Sequence, residues 1–549
     1  MTVIRDIVYH TAKVYGVKTA FQIERGEKYF TVSYEECLLA AEKIAGYLYA
    51  KGYRKGDRIA LIGNNSPEWS IVYLGIQIGG YIGIPIDRLL SINEIQHILI
   101  DSGSKYLFAD DKFAEMIEPV RGEIPDLDGV FILNADSEQS VYSLPVNKGV
   151  VFPDIVPEDE AVYLYTSGTT GKTKGVILSQ HNIIANLEGC RVGLPLTSDD
   201  SIVSILPLHH AYEMTAGFLY AFSKGVTITY SLSLVARDII KAIKDSRATV
   251  MVGVPLVFEK MYNTITKNID DQPLLRKTVI KTLFLIAKFK RLYDKRMNAT
   301  KSVFKPLLSK AGLMSIRHFV AGAAPLPPHV NQFFYVMGIP ILQGYGLSET
   351  SPVVSVVSGK DIDFFSVGPP FHNLKVRIYK PGESGIGEIV IRGPSVMNGY
   401  YREPEKTKQV LKRGWLYTGD FGFIDEKGRL HIKGRLKNVI ISTGGKNIYP
   451  EEIEDVLMQS HYIEEIVVYG KEEPEAMVYP NFENVEKWAH EHKHAQLDDD
   501  TLLSLIKSEI DKYNEKLAPY KRVRKITLRK EEFPKTSTRK IKRFLIGQE

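Results

Sequence analysis

Residues 165–176, Tyr-Thr-Ser-Gly-Thr-Thr-Gly-Lys-Thr-Lys-Gly-Val, concentrate groups able to hold an anion. Three glycines, five aliphatic hydroxyls (Thr166, Ser167, Thr169, Thr170, Thr173) and two lysines (Lys172, Lys174) fall in this stretch. Glycines let a backbone bend and approach a ligand closely. Successive amide N–H groups in such a loop form an anion-binding concavity, to which hydroxyls and ammonium groups add donors and charge. The natural guest is a polyphosphate. The pattern is not a Walker A loop, which needs a glycine five residues before Gly171, where this chain has Thr166.

Further along the chain, Pro207-Leu-His-His-Ala-Tyr-Glu213 follows an apolar run and carries two adjacent histidines. No third ligand at useful spacing makes them a metal site. Ala321-Gly-Ala-Ala-Pro offers small residues against which a flat ligand can lie. Gln343-Gly-Tyr-Gly-Leu-Ser-Glu-Thr350 has GxG without the third glycine of a dinucleotide fingerprint. There Tyr345 can lay its ring on a base, while Glu349 and Thr350 offer a carboxylate and a hydroxyl for Mg²⁺ and phosphate. Asp420 follows a glycine and can take two adjacent sugar hydroxyls, as an acid does for ribose in dinucleotide sites.

These residues need a scaffold. Ala20–Glu24 and Lys28–Val32 read as a hairpin, and Ser33-Tyr-Glu-Glu36 as a capping box opening a helix to about Lys51. Strand-like runs at 58–63, 82–87, 105–109 and 129–133 alternate with helical segments begun by Ser66-Pro67-Glu68 and Ser91-Ile-Asn-Glu94. That alternation predicts a parallel α/β sheet. Runs 161–165, 202–206, 316–320 and 339–342 read as further strands, so the histidines stand at a strand's carboxyl end, where open α/β sheets bind ligands. From about residue 370 the pattern turns β-rich, with separate strands at 422–425 and 429–433 and Asp420 in a turn before them. Gly434-Arg-Leu-Lys-Asn438 reads as a joint, followed by a small α+β unit whose helix starts at Pro450.

The chain has 549 residues, a net charge of +5 and two cysteines, Cys37 and Cys190. So small a net charge for this length gives no footprint for nucleic acid, and two distant cysteines suit a reducing cytoplasm. Neither a secretory leader nor a membrane-spanning run is expected. Residues 276–310 hold eleven Lys or Arg and one acid, Asp294, with apolar residues interspersed. They read as basic amphipathic helices, solvated or in reversible contact with an anionic membrane. The basic end, Pro534–Arg543, reads by itself as a solvated tail or a weak anion binder.

TSGTTGKTKG at 166–175, PLHHAYE at 207–213, GYGLSET at 344–350, GEIVIRG at 387–393, YTGD at 417–420, GRLKNVIISTGGKNIYPEEIE at 434–454 and PKTSTRKIKR at 534–543 stand in one order along the chain. Together they resemble the adenylate-forming (ANL) superfamily, most of all its long-chain fatty acyl-CoA ligases. One position departs from the family pattern, Arg539 standing where a glycine is usual.

The resemblance implies a large N-terminal domain, 1–435, of mostly parallel α/β sheets with a small β-barrel-like part, and a mobile α+β domain, 436–549, hinged near Lys437. It implies a ligase that joins a carboxylic acid to AMP from Mg-ATP and then passes the acyl group to a thiol, usually CoA. Thr166, Ser167, Gly168, Thr169, Thr170, Gly171 and Lys172 would hold the outer phosphates. His210 would line the carboxylate site. Gly322, Ala323 and Ala324, with Gly344, Tyr345 and Gly346, would frame adenine. Thr350 would touch the α-phosphate, and Glu349 would hold Mg²⁺ with Thr166 as a second candidate. Asp420 and Arg435 would hold the ribose, and Lys540 would bridge carboxylate and α-phosphate. Ser442, Thr443, Gly444 and Gly445 would face the thiol. An acyl carrier protein as acceptor, an aryl or short-chain acid, and a regulator without chemistry are the competing readings. The expected location is cytoplasmic, with peripheral contact at the inner membrane face.

Overall fold

A computed structural model describes the chain apart from residues 134–139, 148, 168–172, 360, 443–445, 493–497, 537–539 and 547–549. It divides into two compact units, Met1–Lys375 with Ile391–Leu416, and Val376–Val390 with Tyr417–Glu549.

The first unit carries two large sheets. In the eight-stranded sheet the strands Thr19–Arg25, Thr227–Tyr230, Ser201–Ser204, Val250–Gly253, His318–Ala321 and Ile341–Gly346 run parallel, with antiparallel Lys28–Ser33 and Val353–Val356 at its edges. In the seven-stranded sheet Glu160–Ser167, Ile82–Pro85, Arg58–Ile62, Tyr106–Ala109 and Gly129–Ile132 are parallel, and Thr173–Ser179 and then Gly399–Tyr400 add antiparallel. Central strands such as Ile82–Pro85 and Val250–Gly253 are buried throughout, which is why they read as apolar runs without alternation. The helix Pro67–Gly79 is buried on every side and touches strands of both sheets. A helix without a polar face must be enclosed. Its Ser66 cap accepts the Trp69 N–H, and the Ser33–Glu36 and Ser91–Glu94 capping boxes form as the sequence predicts.

The second unit holds most of a five-stranded sheet, where the barrel-like part was expected, and a three-stranded sheet packed on helices. Its core joins Ile453 and Leu457 of the helix Pro450–Leu457 to Ile506 and Ile510 of Asp499–Asn514.

Two local expectations differ. The run 339–342 becomes a strand that continues through Gly346, so Gly344-Tyr-Gly346 is strand. Trp415–Ile424 is one strand, and Asp420 lies within it rather than in a turn. Tertiary pairing supplies ladder partners that outweigh the bending tendency of the glycines. Both cysteines are buried free thiols. Among the described residues no helix is long and apolar enough to cross a membrane.

Candidate active site

The hydroxyl-rich stretch is the tip of a β-hairpin. Glu160–Ser167 pairs with Thr173–Ser179 up to Ser167 opposite Thr173. The tip itself, Gly168, Thr169, Thr170, Gly171 and Lys172, lies outside the described residues. At its base, Thr166 faces Lys174 across the ladder. The Lys174 ammonium stands 3.7 Å from Glu349 Oε1 and 3.8 Å above the Tyr400 ring. Tyr400 Oη donates to the same Glu349 oxygen at 2.8 Å. Glu349 thus reaches the hairpin from the end of the other sheet. Its backbone is fixed too, since the Met397 N–H donates to the Glu349 carbonyl at 2.9 Å.

Thr350 is fully buried. Its hydroxyl donates to the Pro352 carbonyl at 2.6 Å and accepts the Leu347 N–H at 3.1 Å. The Asn186 amide clamps the same turn, donating to the Thr350 and Val353 carbonyls at 3.1 and 2.7 Å. Here Thr350 and Asn186 hold the turn that presents Glu349.

Past the strand Ser201–Ser204 the two histidines part. His209 Nε2 lies 3.3 Å from Asp87 Oδ1, while His210 Nδ1 accepts the Tyr212 N–H at 3.4 Å. Asn65 braces this loop: its Nδ2 donates to the Leu206 carbonyl at 2.6 Å, and its Oδ1 accepts the Leu208 N–H at 3.0 Å. Next comes a π-helical turn, Glu213–Leu219, a form that is rare and concentrated at functional sites. Glu213 is wholly buried, with Oε1 accepting from Ser204 Oγ at 2.5 Å. Burial pushes its carboxyl up to about 8, against the opposing Ser204 hydrogen bond.

The Tyr212 ring packs on Gly322, where an added Cβ would come within 2.9 Å of the ring. That close approach explains a glycine at this strand end. Ala323 follows with φ of 70°, and Ala323 and Ala324 are half-buried. Gly344 and Tyr345 are half-buried on the neighbouring strand and Gly346 is exposed.

In the second unit, Asp420 and Arg435 face each other across antiparallel strands, with Arg435 Nε 2.8 Å from Asp420 Oδ1. Asp420 is buried. The terminal basic segment is not a loose tail. Lys535 pairs with Glu465 and Glu532, Arg543 pairs with Glu454, and a bridge joins Lys535 to Ile541. This short hairpin carries Lys540, whose N–H donates to Thr536 Oγ1 at 3.2 Å. The Lys540 ammonium is lowered to about 8, first by desolvation and then by the charge of Arg435, with Asp420 acting the other way. Lys540 is exposed. Lys437 is exposed in the 3₁₀ turn Leu436–Asn438. Ser442 Oγ accepts the Lys446 N–H at 3.0 Å, and Thr443, Gly444 and Gly445 lie outside the described residues.

The structure adds Tyr400, Asn65 and Asn186 to the residues read from the sequence. Each acts through long-range contacts that no local spacing announces.

Residues 8–401 match the AMP-binding enzyme family, and residues 437–548 match the AMP-binding enzyme C-terminal domain. The chain belongs to the AMP-binding enzyme family. This membership makes it an adenylate-forming, ATP-using ligase. A long-chain-fatty-acid–CoA ligase of Bacillus subtilis (strain 168) is 30% identical over 100% of this chain and 94% of its own. A chloroplastic long-chain-fatty-acid–[acyl-carrier-protein] ligase of Arabidopsis thaliana is 28% identical over 92% of this chain and 80% of its own. The crystal structure of the anthranilate CoA ligase AuaEII in complex with anthranoyl-AMP has the same fold, with a TM-score of 0.78 at 23% identity, covering 99% of this chain and 96% of that one.

Proposed function

We propose that this AMP-binding enzyme activates a medium- or long-chain fatty acid and transfers it to CoA. The observation that carries the reading is the 30% identity to a long-chain-fatty-acid–CoA ligase along the whole chain. In the first step a carboxylate oxygen attacks the α-phosphorus of ATP. The bond to the bridging oxygen breaks, and pyrophosphate leaves. In the second step a thiolate attacks the acyl carbon and AMP departs. A carboxylate alone would have to expel oxide; the adenylate supplies a stable leaving group.

The residues divide this work. The hairpin residues 166–172 and Lys174 hold the phosphates that leave. His210, braced by Asn65, lines the acyl side. Gly322, Ala323 and Ala324, with Gly344, Tyr345 and Gly346, frame adenine. Asp420 and Arg435 hold the ribose hydroxyls. Lys540 stabilises the charge gathering between carboxylate and α-phosphate, an electrostatic contribution of the kind that dominates phosphoryl transfer. Residues 436–549 then turn about Lys437, removing Lys540 and bringing Ser442, Thr443, Gly444 and Gly445 to the thiol.

Among the described residues no group of three or more His, Cys, Asp or Glu could hold a metal ion. Mg²⁺ is commonly held by one or two carboxylates together with substrate phosphates, and Glu349, with Thr166 nearby, fits that role. When bound, Mg²⁺ neutralises phosphate charge.

The test is ATP-dependent pyrophosphate release with acids from acetate to C18 and with benzoate. Release that rises with chain length, and acyl-CoA formation once CoA is added, are expected. Release with benzoate or acetate alone refutes the fatty acid, and no release with any acid refutes the ligase reading. The Arabidopsis relative favours a second acceptor, the acyl carrier protein; thioester formed on carrier protein but not on CoA would establish it. We place the enzyme in the cytoplasm, meeting its acid at the inner membrane face.

A further inference from the structure

The helix Leu274–Tyr293 has two apolar faces, and the fold uses only one. Its inner face packs on the helices Pro255–Asp270 and Pro328–Val336. Phe284 stacks on Phe333 with ring centroids 5.1 Å apart and meets Phe304 at 4.6 Å, and Ala287 is fully buried. Arg291, counted from sequence among the basic surface residues, belongs to this inner face. It is buried, lies over the Tyr335 ring and donates to the Tyr335 and Met297 carbonyls.

The opposite face points to water and is apolar as well. Leu275, Val279, Leu285, Ile286, Phe289 and Leu292 are each 56% or more exposed. At about 100° per residue they fall within an arc of roughly 140° centred opposite the Ala287–Arg291 line. The other positions inside that arc are Leu274, Thr278, Thr282 and Tyr293, so it contains no charge. The charges stand at its borders: Lys281 and Lys288 along one edge, Arg276 and Lys290 along the other, all exposed. The helix has no Asp or Glu in its 20 residues. Lys295, Lys305 and Lys310 follow shortly after, also exposed.

A soluble chain rarely leaves an apolar stripe of five turns uncovered. Lysines that flank such a stripe can keep their ammonium groups in a polar layer while their stems lie on apolar surface. A second copy of this face would set lysine borders against lysine borders. An anionic lipid surface meets both demands: headgroups take the lysines, and acyl chains take the stripe. We propose that the outer face of Leu274–Tyr293 lies in the plane of an anionic membrane surface, docking the enzyme where its acid partitions. This purpose rests on the fatty-acid reading above; the face itself is argued independently of it.

The test is sedimentation of the full chain with vesicles of phosphatidylglycerol and phosphatidylcholine, against vesicles of phosphatidylcholine alone. A triple variant, Leu285→Gln, Ile286→Gln and Phe289→Gln, changes exposed side chains outside the catalytic machinery. Binding to the mixed vesicles, at least ~10-fold weaker in the triple variant and weakened by about 0.5 M salt, is expected. Light scattering without lipid should give one mass for both proteins, that of the monomer. The proposal is overturned if wild type does not bind, if the variant binds equally well, or if wild type is a dimer that the substitutions dissociate. Pyrophosphate release with a water-soluble medium-chain acid, measured without vesicles, separates the two readings. Release without vesicle binding sinks the membrane inference alone, whereas binding without release for any acid sinks the ligase reading alone.

Discussion

Replacing Glu213 by Gln removes one ionisable proton from the centre of the first unit while keeping the side chain's shape. The carboxyl is fully buried, with Ser204 Oγ 2.5 Å from one oxygen and no hydrogen-bond partner at the other. Gly217, one turn on, leaves the space it occupies; a Cβ there would stand 2.5 Å from the carboxyl carbon. Desolvation raises the group from 4.5 to about 8. The folded chain therefore keeps a proton that the unfolded chain releases above pH 4.5. Folding takes up this proton throughout the window, so its contribution to stability falls as pH rises from 4.5 to about 8. Between pH 6 and pH 8 the loss amounts to about 2 kcal/mol. The Gln variant lacks it, and every other group titrates alike in the two proteins. An unpaired amide adds a pH-independent offset of about 1–3 kcal/mol. Urea unfolding followed by pulse proteolysis, with first-unit fragments identified by mass, isolates this unit from the other. The wild-type stability should drop relative to the variant by about 2 kcal/mol over pH 6 to 8. A difference constant to within about 0.5 kcal/mol would show that Glu213 is already ionised in the folded chain, refuting the reasoning.

Lys540→Ala should lower adenylate formation by on the order of 10²–10³, equivalent to ~3–4 kcal/mol, while sparing thioester formation from supplied acyl-AMP; equal loss in both half-reactions contradicts a lysine used in the first alone. Because the Lys540 ammonium is lowered below the ordinary lysine range, adenylation should fade with rising pH sooner than an unshifted lysine of about 10.4 would allow. In Lys540→Arg that fading should vanish, and its persistence would assign the titration elsewhere. Tyr400→Phe takes one hydrogen bond from the Glu349 carboxylate and should weaken the apparent affinity for Mg-ATP by about 1 kcal/mol, ~5-fold; an unchanged affinity would detach Glu349 from the metal.

Much was legible in the sequence because it is local. Capping boxes at Ser33 and Ser91, proline at the first turn of Pro67–Gly79, and the hairpin of Thr19–Arg25 with Lys28–Ser33 all follow from neighbours within a few residues. The order of seven motifs gave the family and the two-step chemistry. Where sequence reading misjudged, it ended the strand 339–342 before Gly344 and set Asp420, after Gly419, in a turn. Gly344, Gly346 and Gly419 lie in strands, since pairing with a partner far along the chain decides the backbone there.

By itself, then, the sequence determined most element types and, through the order of its motifs, the family. Tertiary structure decided which groups meet. Glu349 joins Lys174 and Tyr400 because strand Gly399–Tyr400 adds to a hairpin more than two hundred residues earlier. The basic end becomes a pinned hairpin because Glu465 and Glu454 hold Lys535 and Arg543. Among the lysines and arginines of 276–310, burial alone separates Arg291, a bolt inside the fold, from those bordering the outer face. Local chemistry is set by residue type and spacing, whereas burial and long-range contact arise only when distant segments share one core.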